Sequence, residues 1–245
     1  MIKLFHNIRK KLLEQGKTAN YIKYAIGEIF LVVIGILIAL AINNWNQERI
    51  LKIEEEGIVR NIHNEYLQNK TIITTTLEES DRCANGIKSL MELVGKDEAL
   101  IKNHNVDSLM FYAFDPPIFR PSENTISGLI QSGRLELLQN KELVDLIYEW
   151  GRTMKALNDH SERLLIKIDD EVLPYLSKHY SLKDIDIYGD LKWKNKTTLE
   201  IDKLQIFEAI EFENIMDDFI YRVNESKKRL IELETIINKI LKETD

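Results

Sequence analysis

The chain has 245 residues, with 33 Lys and Arg, 40 Asp and Glu, one Cys, ten Gly and four Pro. The single cysteine, Cys83, excludes an internal disulfide framework and any zinc site built on several thiolates. A formal net charge of −7 without a basic block argues against nucleic acid as the main partner. Few Gly and Pro amid abundant Ile, Leu, Lys and Glu make a helix-forming composition.

The average charge conceals a polarity along the chain. Lys3, Arg9, Lys10, Lys11, Lys17 and Lys23 face only Glu14 in the first 24 residues, a net of +5. From Ile50 onward there are 26 basic and 37 acidic residues, a net of −11. In the leader, residues 1–20, Ile2, Phe5, Ile8 and Leu12 share one helical face. Two readings stand: an amphipathic helix on an anionic leaflet, or an unstructured basic orientation signal. Residues 16–20 are expected to break the helix before the next segment.

Residues 25–42, AIGEIFLVVIGILIALAI, hold Glu28 as their sole ionisable side chain. Eighteen residues of helix span about 27 Å, close to the hydrocarbon thickness of a bilayer. Tyr21 and Tyr24 stand at one end and Trp45 at the other, in the places of interfacial aromatic anchors. Lys and Arg concentrated before the run direct the N-terminus to the cytoplasm. A core helix is the weaker alternative, because residues 29–42 carry no polar stripe. A cleavable signal peptide is the closer rival, since Ala39-Leu40-Ala41 has the A-x-A form. Against it, the leader is long and no polar spacer precedes that triplet. The expectation is a retained signal anchor over 21–45 and an extracytoplasmic domain over 46–245.

Within the span, Glu28 has three readings: an interfacial carboxylate near Lys23, a contact to a partner helix, or part of an ion path. Gly35 and Ala39 form a small-xxx-small pair that lets helices approach closely. Glu28, Gly35 and Ala39 are therefore the candidate contacts of the membrane helix.

The segment YAIGEIFLVVIGILIALAINNWNQERI, with its leader MIKLFHNIRKKLLEQGKTANYIKYAIGE, resembles the N-terminal signature of an uncharacterised family of single-span proteins from Bacteroidetes-type bacteria. The resemblance is specific over residues 1–49 and weaker over LIQSGRLELLQNKEL, residues 129–143. This chain has Ala41 where the family usually has Gln, which creates the A-x-A triplet. The resemblance implies an inner-membrane anchor with an extracytoplasmic helical domain and no known activity.

Residues 43–94 lack Pro, and Ile50, Ile53, Ile58, Ile62, Ile72, Leu77, Ala84, Ile87, Met91 and Val94 recur at mostly helical intervals. Gly57 and Gly86 are candidate kinks, and Glu54-Glu55-Glu56 reads as a solvated face. Val106–Phe114 is expected as a short helix ended by Asp115-Pro116-Pro117. Ser122 or Asn124 is expected to cap a helix through Gln131, closed by Gly133. Asn140 is expected to cap a longer helix from Lys141 to about Val172, broken or kinked by Pro174. Alternation at Ile185/Ile187 and Leu191/Trp193 around Gly189-Asp190 admits a small hairpin. Residues 204–242 read as the clearest helix, with a capping box at Asp202 and Gln205. Met216, Val223, Leu230 and Ile237 form one heptad row; Phe212, Phe219, Ser226, Leu233 and Ile240 form the other. These rows suit coiled-coil or long-bundle packing against residues 43–94, of the same chain or a neighbour.

Motifs for phosphate-binding, dinucleotide-binding, serine-hydrolase or metalloprotease chemistry are absent from the sequence. The five His show no metal-seating pair, so neither metal nor cofactor is expected. Asp159-His160 with Glu162, Asp169-Asp170-Glu171 and Asp217-Asp218 read as polar surface. Cys83 reads as a small core residue, and Ser132-Gly133 as a helix stop. Phe111, Tyr112, Phe114 and Phe119 with their prolines are expected to cap the bundle rather than line a ligand groove.

The sequence thus predicts an all-α protein: one N-terminal transmembrane helix continuing into an extracytoplasmic bundle of long antiparallel helices, with short helices and an irregular middle. The expected function is binding or scaffolding in the cell envelope, without enzymatic activity. Its expected partners are the lipid bilayer and a second copy or another envelope protein, not nucleic acid. The alternative is a small-ligand sensor that signals through a partner membrane protein.

Overall fold

The computed structural model describes residues 18–245, with side chains from Ile22 onward. The leader face of Ile2, Phe5, Ile8 and Leu12, and the side chain of Tyr21, lie outside the described residues. The chain is all-α, and no strand occurs among the described residues. It divides into two units, Met1–Gly57 and Ile58–Asp245.

Helix α1 (Thr18–Leu93) is continuous, so the break expected over 16–20 is already helical from Thr18. Neither Gly57 nor Gly86 interrupts it. In the first unit, every side chain from Ile29 to Ile53 is exposed. One helix among the described residues is long and apolar enough to cross a membrane, and none of its apolar window is buried.

The second unit is built on three long helical stretches: α1 from Ile58 onward, α5 (Lys141–Lys167) and α8 (Ile210–Glu243). Contacts at both ends fix their directions. His63 Nδ1 lies 3.0 Å from Thr244 Oγ1, and Asp81 pairs with Lys227. Asn140 Nδ2 donates to Glu243 at 2.9 Å, and Lys167 pairs with Asp218 at 3.0 Å. Helix α8 therefore runs antiparallel to both α1 and α5. Both heptad rows of α8 are buried, including Ser226, whose hydroxyl finds no partner among the described residues. The natural partner of these rows is α1 and α5 of the same chain.

Two apolar clusters fill the unit. One joins Ile58, Ile62, Tyr66 and Ile73 to Trp150, Met154, Leu233 and Ile237. The other joins Cys83, Ile87 and Leu90 to Met110, Leu176, Phe207, Phe212 and Phe219. The inward face of α1 also carries Glu65, Asn69, Thr76 and Ser80, all buried.

Short elements connect the long helices: α2 (Glu98–Ile101), α3 (Val106–Phe114), α4 (Asn124–Gln131), α6 (Leu173–His179) and α7 (Leu182–Ile185). Helix α3 ends at the Asp115-Pro116-Pro117 run as expected. Asn140 caps α5, its Oδ1 accepting from Leu143 N at 3.1 Å. Gly133, with φ of 70°, follows α4 in the left-handed region that suits glycine. Helix α4 takes its cap from elsewhere than expected. Glu65 of α1 accepts from Thr125 N at 3.1 and 3.2 Å and from Ser122 Oγ at 2.8 Å. Asn69 then holds both the N–H and the C=O of Ser122 at 2.8 Å.

Three boundaries differ from the sequence reading, each for a local reason. Pro174 lacks an N–H, and its ring would crowd the carbonyl four residues back. The chain widens into a π turn at Ile168–Val172 and resumes as α6, with Pro174 in its first turn. The hairpin expected around Gly189 is instead α7 and a 3-10 turn at Asp186–Tyr188. Ser181 Oγ accepts from Asp184 N at 3.3 Å and starts a helical turn where alternation suggested a strand. The last helix begins at Ile210, not Leu204. Asp202 Oδ1 accepts from Leu204 N at 3.0 Å, a 3-10 turn covers Gln205–Glu208, and Ala209 is extended. That kink lets Phe207 and Phe212 both bury, edge to face at 5.6 Å.

Candidate functional site

The residues proposed to touch membrane or partner sit on the exposed part of α1. Gly35 and Ala39 are exposed, and a Cβ added at Gly35 meets nothing within 4 Å. Tyr24 and Trp45 bracket the apolar run with their rings exposed. Glu28 lies one turn inside that run and is half-buried.

A second constellation was not anticipated. Asp107 of α3 and Asp184 of α7 are 5% and 1% exposed, yet both are charged partners of Lys203 at 2.6 Å. Asp107 also receives Lys196 Nζ at 2.6 Å and the Tyr180 hydroxyl at 2.6 Å. Asp184 accepts from Thr197 N at 2.6 Å, and Lys203 Nζ stands 5.0 Å from the centre of the Tyr180 ring. Burial alone would raise the Asp107 carboxyl. Donation from Lys196, Lys203 and Tyr180 outweighs it and holds the group below the usual carboxylate range. Asp184 is held low the same way: burial opposes ionisation, and Lys203 and the Thr197 amide overcome it. Burial, with the neighbouring Asp107 carboxylate, pushes the Tyr180 hydroxyl far up, so it remains a donor.

Chemically, this cluster is a clasp. Two carboxylates are satisfied by two lysines, a phenol and a backbone amide, which fastens the irregular segment 189–204 onto α3 and α7. Beside it opens a cavity of about 460 Å³, bordered by Lys102, His104, Asn105 and Ile201 as well as Asp107, Tyr180, Lys196 and Lys203 of the cluster. The sequence held little warning of it, since Lys196 and Lys203 lie 89 and 96 residues from Asp107. The one local signal is an acid, Asp107, in the first turn of a largely apolar helix.

Other singled-out residues have structural places. Cys83 is buried, its Sγ–H donates to Ala113 O at 3.2 Å, and burial pushes its thiol up to about 12. Phe119 is buried in the cluster of Trp150, Phe111 and Phe114 pack against the cluster of Cys83, and Tyr112 is more exposed beneath the Arg82 guanidinium. The Ser132 hydroxyl donates back to Gly128 O at 2.7 Å. Asp159 and Glu162 are exposed. Asp218 is bound by Lys167 and Arg222, and Glu171 by Lys167.

The chain is thus an all-α protein that joins one exposed, apolar helix of membrane-spanning length to a packed helical bundle. The model of a family of unknown function, DUF6090, matches residues 28–97, so this stretch of the chain is similar to that family. The match covers all but the first three residues of the apolar run, the rest of α1 and four residues beyond it, less than a third of the chain. No curated protein and no solved structure matches the chain.

Proposed function

We propose that this protein is a single-pass inner-membrane protein, N-terminus cytoplasmic, whose helical bundle works in binding or scaffolding within the cell envelope and performs no catalysis. The observation that carries the reading is the uninterrupted exposed apolar surface of α1 over residues 29–42. In water such a surface would expose a row of Ile, Leu and Val with nothing to cover it; in a bilayer it is solvated by lipid. The basic leader supports the orientation. Likeness to the Bacteroidetes-type single-span signature supports the inner membrane. The buried groups of the bundle support a structural role, because the acidic residues held low are consumed by ion pairs rather than poised for proton transfer.

Glu28, Gly35 and Ala39 are the contacts through which the span meets a second copy or another envelope protein. The test is the mass of the full chain in mild detergent, by light scattering, beside its Glu28→Ala variant. A defined oligomer that dissociates in the variant is expected; a monomer in both removes self-assembly through Glu28. The cavity beside the Asp107 clasp favours a second reading, a sensor of a small polar ligand. Its volume of about 460 Å³ suits a metabolite. Thermal stabilisation of the protein by a small polar metabolite would turn the assignment toward that reading.

A further inference from the structure

We propose that residues 25–57 form one strand of a parallel, in-register coiled coil with a second copy of this chain, its seam continuing from the apolar run into water through Asn43, Asn46, Ile50 and Ile53. The inference rests on the reading of residues 25–42 as a membrane span, and it identifies the partner and the face.

The observation that demands a partner lies beyond the span. Past Trp45 the helix carries Glu48, Arg49, Lys52 and Glu54 to Glu56, charges that belong in water. Yet Ile50 and Ile53, one turn apart, are 52% and 58% exposed, and the first buried residue of the bundle is Ile58. Lipid covers the apolar side chains of the span; these two stand outside it, as does Leu51 beside them, 48% exposed.

Spacing says what covers them. Ile29, Ile36, Asn43, Ile50 and Gly57 repeat every seven residues, and Ala25, Val32, Ala39, Asn46 and Ile53 form the row interleaved with them. Steps alternate between three and four residues, the a and d pattern of a coiled coil, for which the partner is another helix of matching pattern. Eight of these ten positions are apolar or glycine; the two polar ones are Asn43 and Asn46. Asparagine at an a position of such a seam, as at Asn43, costs stability and specifies register. Glu28 and Gly35 flank the seam at g positions.

Charge supplies an independent match. Arg49 falls at g and Glu54, five residues on, at e. In a parallel in-register pair, g of one helix meets the following e of its neighbour, so Arg49 faces Glu54 of the second copy twice by symmetry. Arg49 already leans to the seam side, its Nη2 donating to Asn46 Oδ1 at 3.4 Å. A single-pass chain inserted in one orientation also makes neighbouring spans parallel, as this register requires.

The test uses the full chain in membranes, with single cysteines introduced at Asn46→Cys, Ile50→Cys and Ile53→Cys on the seam and at Asn44→Cys and Lys52→Cys off it. Native Cys83 stays in place, since it is buried. A mild oxidant should link the seam variants into disulfide dimers several-fold faster than the off-seam variants. Equal linking at all five positions, or fastest linking at Lys52→Cys, overturns the register. Arg49→Glu should lower linking at position 50, and Arg49→Glu combined with Glu54→Arg should restore it; a double variant as poor as the single one overturns the charge match. The detergent mass separates the two ideas. A defined oligomer with off-seam linking removes this seam and leaves self-association standing, whereas a monomer removes both.

Discussion

At Asp107, two lysines and a tyrosine converge on one carboxylate that the fold takes out of water. A buried ion pair contributes little net stability while intact, but removing one partner leaves a charge uncompensated at a cost of about 3–5 kcal/mol. Asp107→Asn should therefore destabilise the bundle by roughly 3 kcal/mol, read from the urea midpoint, and loosen segment 189–204 to protease. The pH dependence follows from the same contacts. Both Asp107 and Asp184 sit below their unfolded values. Their stabilisation is full above the ordinary carboxylate range and is lost as pH falls through the lower folded values. Thermal melts from pH 7 down to pH 3 should show acid destabilisation that Asp107→Asn reduces; equal slopes in the two proteins would contradict the clasp. Beyond the acid at Asp107 itself, this was not readable in the sequence, because Lys196 and Lys203 carry no local sign of their partner. Cys83 was readable, since a lone cysteine within an apolar helical pattern is a small core residue far more often than a reactive one.

Helix α1 marks where hydrophobic pattern succeeds and where it stops. Ile58, Ile62, Ala84 and Ile87 were expected inside and are buried, but so are Asn69, Thr76 and Ser80, which a pattern of apolar residues passes over. Asn69 explains itself only across the fold, through its two bonds to the Ser122 backbone. Caps drawn from the same element were legible at Asn140, whereas α4 is capped by Glu65 of another helix and was not. Gly86 has a packing role that the pattern did not reveal. A Cβ there would lie 3.0 Å from Ala113 N and 3.3 Å from Leu109 O, both backbone of α3. Glycine at this point lets α3 lie directly on α1. Gly86→Ala gains about 1 kcal/mol of helix propensity but should lose about 1–3 kcal/mol to overpacking. A lower melting temperature is expected, and a rise would show that α3 yields freely. The π turn before Pro174 was legible as a disturbance in the right place, not in kind, because proline announces a broken hydrogen bond and the tertiary setting decides how the helix repairs it.

At the scale of the whole molecule, the all-α class and the heptad rows of α8 were legible, since long periodic segments reveal their buried face directly. An antiparallel bundle with α1 as partner of these rows was also legible; that the partner is the same chain, and that α5 shares the contact, was not, because such rows serve a neighbouring subunit equally well. The proposed arrangement makes α1 at once the membrane span, the seam between copies and the inner wall of the bundle. Its central claim is that the apolar run stays in the membrane with the bundle outside the cytoplasm. The direct measurement adds protease to intact spheroplasts expressing the full chain and follows both ends by mass spectrometry. The account predicts loss of the bundle from the outside, leaving a membrane-embedded N-terminal fragment that still contains residues 25–42. A bundle protected until the cells are lysed, or a soluble bundle whose N-terminus begins just after Ala41, would contradict it.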